Sequence, residues 1–307
     1  MDINRENLNE LFKTFKVLFQ KGLSNAPSNY EKYSTVIPST SAVQVYPYLE
    51  QFGRMREWIG DRQLRSVASQ KVEVVNRDFE DTVVVKRNDI EDDQYGIYGT
   101  LIQMLGQNAG QIWGDLAVEA LLGGDEKVWG DALPFFSATR KYGEDSTINN
   151  LGSAELSVEA YAAARAQMLS YRGHDGKTLR VNPGLLIVGP ANEGMANDIL
   201  KASSRLVATS VANGDSTEVI SGSIQNTWAG TAQIVIEPEL GKEWYLADVS
   251  GALKPVCVQK RQDVKLTRLD GDTDDNVFHR KEYIYGADAR GEAFLSFPHL
   301  IYGSFPG

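Results

Sequence analysis

The chain has 307 residues, 23% charged and 42% apolar, which is the balance of a folded protein with one large core or two intimately joined subdomains and excludes a disordered one. A net charge of −10 and a pI of about 4.9 make the surface as a whole repel nucleic acid; this excludes a binder that relies on a basic footprint, but not a protein that merely encloses DNA. The single cysteine, Cys257, excludes an internal disulfide, and no apolar run approaches the length needed to cross a bilayer.

The first predicted element is an amphipathic helix. Leu8, Leu11, Phe12, Phe15, Leu18 and Phe19 recur at helical spacing with Lys and Glu between them, and Gly22 and Pro27 stop it. The six residues Met1 to Glu6 lack the basic-then-apolar pattern of a signal peptide, so synthesis and assembly are expected in the cytoplasm. Ser28 to Tyr48 is rich in Tyr, Ser, Thr and Pro and weakly periodic; it has little to bury by itself and is expected to be ordered by contacts with other chains. That favours reading the helix as an arm laid on a neighbour over an ordinary first helix on its own core.

Gln51 to Arg62 sets Trp58 among charged residues. Val67, Val72, Val74 and Val75 then suggest a strand, Asn76, Arg77 and Asp78 a turn, and Phe79 to Lys86 the return strand of a β-hairpin. Arg65, Lys71, Glu73, Glu80, Asp81 and Lys86 punctuate it with charge, and a two-stranded ribbon is marginal alone in water, so this one is expected to lean on something else.

Asn88 to Leu122 reads as one helix of roughly 50 Å. Asn88 is its predicted cap, Glu91 holds the capping-box position, and Asp89, Asp92 and Asp93 suit the positive end of its dipole. Ile97, Leu101, Leu105, Ile112, Leu116 and Ala120 mark the buried stripe, and Gly123-Gly124 ends it. Gly96, Gly99, Gly106, Gly110 and Gly114 lie inside, which implies close backbone packing or a bend. Residues 125 to 156 are loop-like. Ser157 caps an alanine-rich helix to about Tyr171, Leu185 to Val188 is a buried strand, and Asn192 opens a short helix through Ala202. Residues 203 to 230, rich in Ser, Thr, Gly and Asn, carry no predicted element. Strands follow at Gln233 to Ile236, Trp244 to Ala247, Val256 to Gln259 and Val264 to Leu269, and Val277 to Ala289 alternates with period two around Tyr283, Tyr285, Ala287 and Ala289. Helices and strands interspersed without a βαβ repeat make an α+β chain.

Familiar catalytic and cofactor signatures are missing from the sequence. His174, His279 and His299 have no second His or Cys at metal-ligand spacing, and there is no P-loop, dinucleotide fingerprint or nucleophile elbow. Asp270, Asp272, Asp274 and Asp275 resemble the start of a calcium loop, but Asp275 stands where glycine is needed and Lys281 where a bidentate Glu is expected, so a solvated acidic turn is the reading. Asp89, Glu91, Asp92 and Asp93 are explained by helix-start electrostatics. Cys257, between Val256 and Val258, reads as a buried inert thiol. No catalytic, cofactor or metal residue is therefore assigned.

The order of arm, charged hairpin, long helix and final α+β region resembles the Hong Kong ninety-seven-type capsid fold of tailed phages. Within it, the chain resembles the major head subunits of phage Mu and its prophage relatives, on Met55 to Arg62, Val83 to Arg87, Ile90 to Asp93, Pro134 to Ser137, Asn149 to Leu151 and the closing Tyr283 to Tyr302 region. The resemblance implies an N-terminal arm (1–53), an extended β-hairpin loop (54–88), a peripheral domain with a spine helix (89–180), an axial domain (181–255) and return strands of the peripheral domain (256–307). It implies a structural protein and no enzyme: a shell of hexamers and pentamers, with Leu11, Phe12, Phe15, Trp58, Arg65, Lys71, Glu73 and Lys86 as intersubunit contacts. The expected partners are a separate scaffolding protein, a portal protein, a decoration protein and packaged double-stranded DNA held without sequence specificity, with no membrane. Two alternatives stay open from sequence: an encapsulin-like nanocompartment shell and a soluble α+β enzyme with a non-local site.

Overall fold

The structure, a computed structural model, describes residues 5–47, 71–92, 96–124, 132–142, 146–173, 176–213, 216–271 and 273–307. In chain order the elements begin with α1 (Arg5–Ser24), α2 (Tyr30–Tyr33), β1 (Ser34–Pro38) and β2 (Val43–Pro47). Then come β3 (Lys71–Val75), β4 (Arg77–Lys86), α3 (Arg87–Glu91) and α4 (Ile97–Leu122). The middle holds β5 (Arg140–Lys141), β6 (Thr147–Ile148), β7 (Leu151–Gly152), α5 (Val158–Ser170), β8 (Leu185–Val188), α6 (Glu193–Leu200), β9 (Ser204–Asn213) and β10 (Ser216–Gln225). The chain closes with β11 (Gln233–Ile236), β12 (Trp244–Ala247), β13 (Val256–Leu269), α7 (Asp275–Arg280), β14 (Glu282–Leu295) and β15 (Ile301–Ser304).

A four-stranded sheet, ordered β1-β13-β14-β4, is built on the long β13–β14 hairpin. Burial along β14 alternates strictly, with Tyr283, Tyr285, Ala287, Ala289, Ala293 and Leu295 turned inward, as the two-residue period of a strand covered on one face requires. Helices α1 and α4 supply that cover: Phe15, Phe19, Ile102 and Leu105 pack with Tyr283 and Tyr285 in one cluster, and Phe15 meets Tyr285 edge-on at 5.2 Å. The helix glycines explain how closely α1 approaches α4. A Cβ on Gly106 would overlap the carbonyl of Phe19, and one on Gly22 the carbonyl of Gln103, so the two backbones meet where neither residue has a side chain.

The second sheet, ordered β11-β8-β12-β15-β7, has β8, β12 and β15 buried along their whole length. Helix α5 packs beside it, capped by the Ser157 hydroxyl, which accepts from the Ala160 amide at 3.1 Å. This sheet draws β7 and β15 from outside residues 181–255.

Several sequence expectations need correction. β3 and β4 do not form a hairpin: β3 pairs with β2, from Val43↔Val75 to Pro47↔Lys71, and β4 pairs with β14. Asn76 makes no solvent turn between them. It is buried, and its amide donates to the Ser41 carbonyl (2.8 Å) and the Ser39 hydroxyl (3.1 Å) while its carbonyl accepts from Gln259 (2.7 Å). The helix expected over 88–122 is split into α3 and α4, because Gly96 precedes α4 at φ 68°, a left-handed conformation that no continuous helix contains. Asn88 lies inside α3 and does not cap it. The stretch after Ser28 is ordered on its own subunit: Tyr30 and Tyr33 are buried in the main core cluster and β1 runs parallel to β13. Residues 203–230 contain the ten-residue β9–β10 ribbon, and β13 is one strand with bulges between Lys260 and Lys265 where two strands were expected. Asp270 is not a solvated acid; it is buried and paired with Arg268 at 3.2 Å.

Candidate intersubunit surface

The β2–β3 ribbon stands outside both large sheets and presents two different faces. Tyr46 faces the body of the subunit, where its ring stacks on Phe294 at 4.8 Å and its hydroxyl donates to Gln259 at 2.6 Å. Because side chains alternate across a strand, Val43 and Val45 point the other way and are 44% exposed each; their partner Val75 is 58% exposed, and Glu73, opposite Val45, is exposed too. The result is an uncovered valine face edged by charge on a ribbon whose other face, with Val72, Val74 and Tyr46, packs on its own subunit. The root is a buried polar chain, Tyr46 to Gln259 to Asn76 to Ser39, in which each amide finds a partner. Arg77 clamps the next residue down by a forked pair to Glu292 (2.7 and 3.0 Å) and a third bond to Glu119 (2.7 Å), tying the ribbon's exit to β14 and α4.

These root residues were absent from the expected contact set, although the alternation Val43-Gln44-Val45-Tyr46 was a legible strand signal inside a stretch read as featureless. Of the expected set, Phe15 is 3% exposed within its own chain and has no surface left for a neighbour. Leu11 and Phe12 are half-buried on the same cluster, and the Arg268 guanidinium lies 4.2 Å over the Phe12 ring. Lys71 opens β3, and Glu73 and Lys86 are exposed on β3 and β4. Trp58 and Arg65, like Val67, Asp93, His174 and Asp272, lie outside the described residues.

The interior holds groups whose ionisation burial has moved. The Cys257 thiol is buried and pushed up to about 12, so it stays protonated and inert. Burial lowers His299 to about 4, against a weaker opposing pull from Asp248. Glu237 is raised by burial, with Glu239 and Asp115 adding like charge and Tyr33 and Lys32 opposing. Among the described residues, no group of three or more His, Cys, Asp or Glu is arranged to hold a metal, and no helix is long and apolar enough to cross a membrane.

The sequence model of the Mu-like prophage major head subunit gpT matches the chain in three overlapping stretches, 8–154, 148–240 and 224–305. The chain belongs to this family. The FluMu prophage major head subunit of Haemophilus influenzae is 27% identical over 296 residues, covering 95% of this chain and 72% of the relative. The major capsid protein of Escherichia phage Mu is 25% identical over 301 residues, covering 97% and 73%. Among solved structures, the procapsid of bacteriophage JBD30 superposes with a TM-score of 0.61 at 28% identity, covering 99% of this chain and 77% of that one. As a gpT-type head subunit the chain is a major capsid protein with the tailed-phage α+β capsid fold, and this reading stands over the nanocompartment and enzyme alternatives.

Proposed function

We propose that this chain self-associates through hexamers and pentamers into a closed icosahedral shell that encloses double-stranded phage DNA, and that it does so as a purely structural protein. The observation that carries the reading is the uncovered valine face of the β2–β3 ribbon, since a two-stranded ribbon with apolar side chains in water gains stability when a neighbour covers it. The ribbon is the base of an extended loop that lies across the next subunit, with Trp58, Arg65, Lys71 and Glu73 among its charged and aromatic contacts; Lys86 on β4 and Leu11 and Phe12 of the arm meet neighbours elsewhere on the subunit. The sheet of β13 and β14 with α1 and α4 serves as the peripheral part, and the sheet around β8 and β12 as the axial part. With α1 facing the interior, the exposed Lys13, Lys16 and Lys21 make scattered contacts with DNA that read no sequence. The family resemblance adds a scaffold, a portal and a decoration protein as partners and the host cytoplasm as the place of assembly.

Negative-stain microscopy of the expressed protein tests this. Rings or closed shells are the expected result. A monodisperse monomer at physiological salt, even with its scaffold supplied, overturns it, and tight sequence-specific DNA binding by the subunit overturns the passive-container part.

A further inference from the structure

Helix α2 is wedged between two layers. On one side it packs on α4. On the other, Asn29, just before it, donates its side-chain amide to the Ile236 carbonyl of β11 at 3.1 Å. Tyr30 and Tyr33 bring the wedge into the main core with Trp113, Leu116 and Ala117 of α4 and the strands of the second sheet. Because β11 is the edge strand of that sheet, α2 joins the helices over the first sheet to the border of the second.

The joint contains an uncompensated acid. Glu237, directly after β11, is 7% exposed, and its Oε1 has no hydrogen-bond partner among the described residues. The Tyr33 phenol faces it, is fully buried, and has no partner at its hydroxyl either. The backbone around the acid is pinned. The Glu237 amide donates to the Val188 carbonyl at 2.9 Å, and the Leu240 amide to the Glu237 carbonyl at 3.1 Å. With the backbone held, the carboxylate gains water when α2 lifts off β11, and until then its charged form goes unhydrated.

The groups that face Glu237 do not repair this. Burial raises it above the ordinary carboxylate range. Tyr33 and Lys32 of α2 oppose the rise, while Glu239 in the following loop and Asp115 on α4 add like charge. Lys32 is exposed and directs its ammonium to Asn29 Oδ1 at 2.8 Å. Burial, and after it the Glu237 charge, pushes the Tyr33 hydroxyl far up, so it stays protonated. A protonated carboxyl and a phenol complement each other as donor and acceptor. An ionised carboxylate keeps only the Tyr33 donor and stands as a third negative charge beside Glu239 and Asp115.

We propose that α2 is a proton-linked clasp between α4 and the second sheet, closed while Glu237 carries its proton and loosened when Glu237 ionises beside Tyr33, Glu239 and Asp115. The sign follows from linkage. In the closed joint Glu237 holds its proton more tightly than in water, so closure is complete below the ordinary carboxylate value and is lost as pH rises through the raised one. Each unit of that rise makes opening about tenfold more frequent across the interval. The clasp belongs to the single subunit and stands apart from the shell reading.

Hydrogen exchange of the full chain between about pH 5 and 8, corrected for the intrinsic pH dependence of exchange, tests it. In wild type, residues 30–38 and 233–240 should lose about tenfold or more of their protection as pH rises, while β12 keeps its own. Glu237→Gln, which keeps the shape and cannot ionise, should hold the low-pH protection throughout. Glu239→Gln, at an exposed position that leaves folding intact, should move the transition to lower pH and shrink it, because it removes like charge. Wild-type protection that ignores pH overturns the clasp, as does a Glu237→Gln chain that loses protection as wild type does. An unshifted transition in Glu239→Gln overturns it as well.

Discussion

Gly106 and Gly114 lie two turns apart on α4, yet their surroundings give them opposite roles. A methyl on Gly106 would collide with the Phe19 carbonyl of α1, a backbone atom that moves only if the whole helix does. At Gly114 nothing lies within 4 Å of the same position. Gly106→Ala is therefore expected to destabilise the subunit by about 1–3 kcal/mol through overpacking. Gly114→Ala should stabilise it by about 0.5–1 kcal/mol, since alanine restricts the unfolded chain and suits a helix interior. Chemical denaturation of the two variants beside wild type measures both, and equal shifts of the same sign would remove the close-approach explanation. The glycines were visible in the sequence as a cluster. Which of them faces α1 depends on a crossing that no local pattern specifies.

At the scale of the element, the β2–β3 ribbon keeps an exposed face while α1 is covered by its own subunit. The arm helix is packed firmly on its own subunit through Phe15, Phe19 and the Gly22–Gly106 approach, whereas the ribbon carries the exposed valines. Phe15→Ser is accordingly a core deletion in the subunit and reports little on assembly alone. The Val43→Ser/Val45→Ser pair tests the ribbon instead. Both side chains are already nearly half exposed, so the isolated subunit should melt within a degree or two of wild type, while assembled particles should lose several degrees because every interface repeats the change. Melting subunits and particles of both proteins side by side decides it; equal losses in the two forms would assign the ribbon to its own domain.

For the whole molecule, acid stability is set by opposing buried groups. His299 is buried, its Nδ1 has no hydrogen-bond partner, and burial lowers it to about 4 from the ordinary 6.5. Above pH 6.5 the ring is neutral in folded and unfolded chains alike, and its stabilising contribution is fully present. As pH falls toward 4, the unfolded chain takes up a proton that the folded chain resists, and stability declines by up to about 3 kcal/mol. Glu237 and Asp270 act in the other sense: burial raises both, so their contribution is complete at low pH and is lost as pH rises through their folded values. His299→Gln should lower the melting temperature at neutral pH yet flatten its decline between pH 6.5 and 4.5. A decline as steep as that of wild type would place the acid sensitivity elsewhere.

The sequence by itself determined the elements whose patterns are local and strong: the periodicity of α1, the Ser157 cap of α5, the all-apolar run of β8 and the alternation of β14. It also carried the α+β class and, through the order of its parts, the resemblance to capsid subunits. What only the tertiary structure decided is pairing and partition. Asn76, Arg77 and Asp78 are turn residues by type, but burial against Gln259 and the forked pair to Glu292 make the first two a crossing point between sheets. Residues 204–225 have too few large apolar side chains to announce a strand, yet two such segments satisfy each other's backbone across ten paired positions. Phe278 could equally have been a core residue by type; its exposure follows from Val277 beside it taking the inward position on α7. Each of these outcomes depends on a contact between residues distant in the chain or on the facing of one short element, and neither is encoded in local composition.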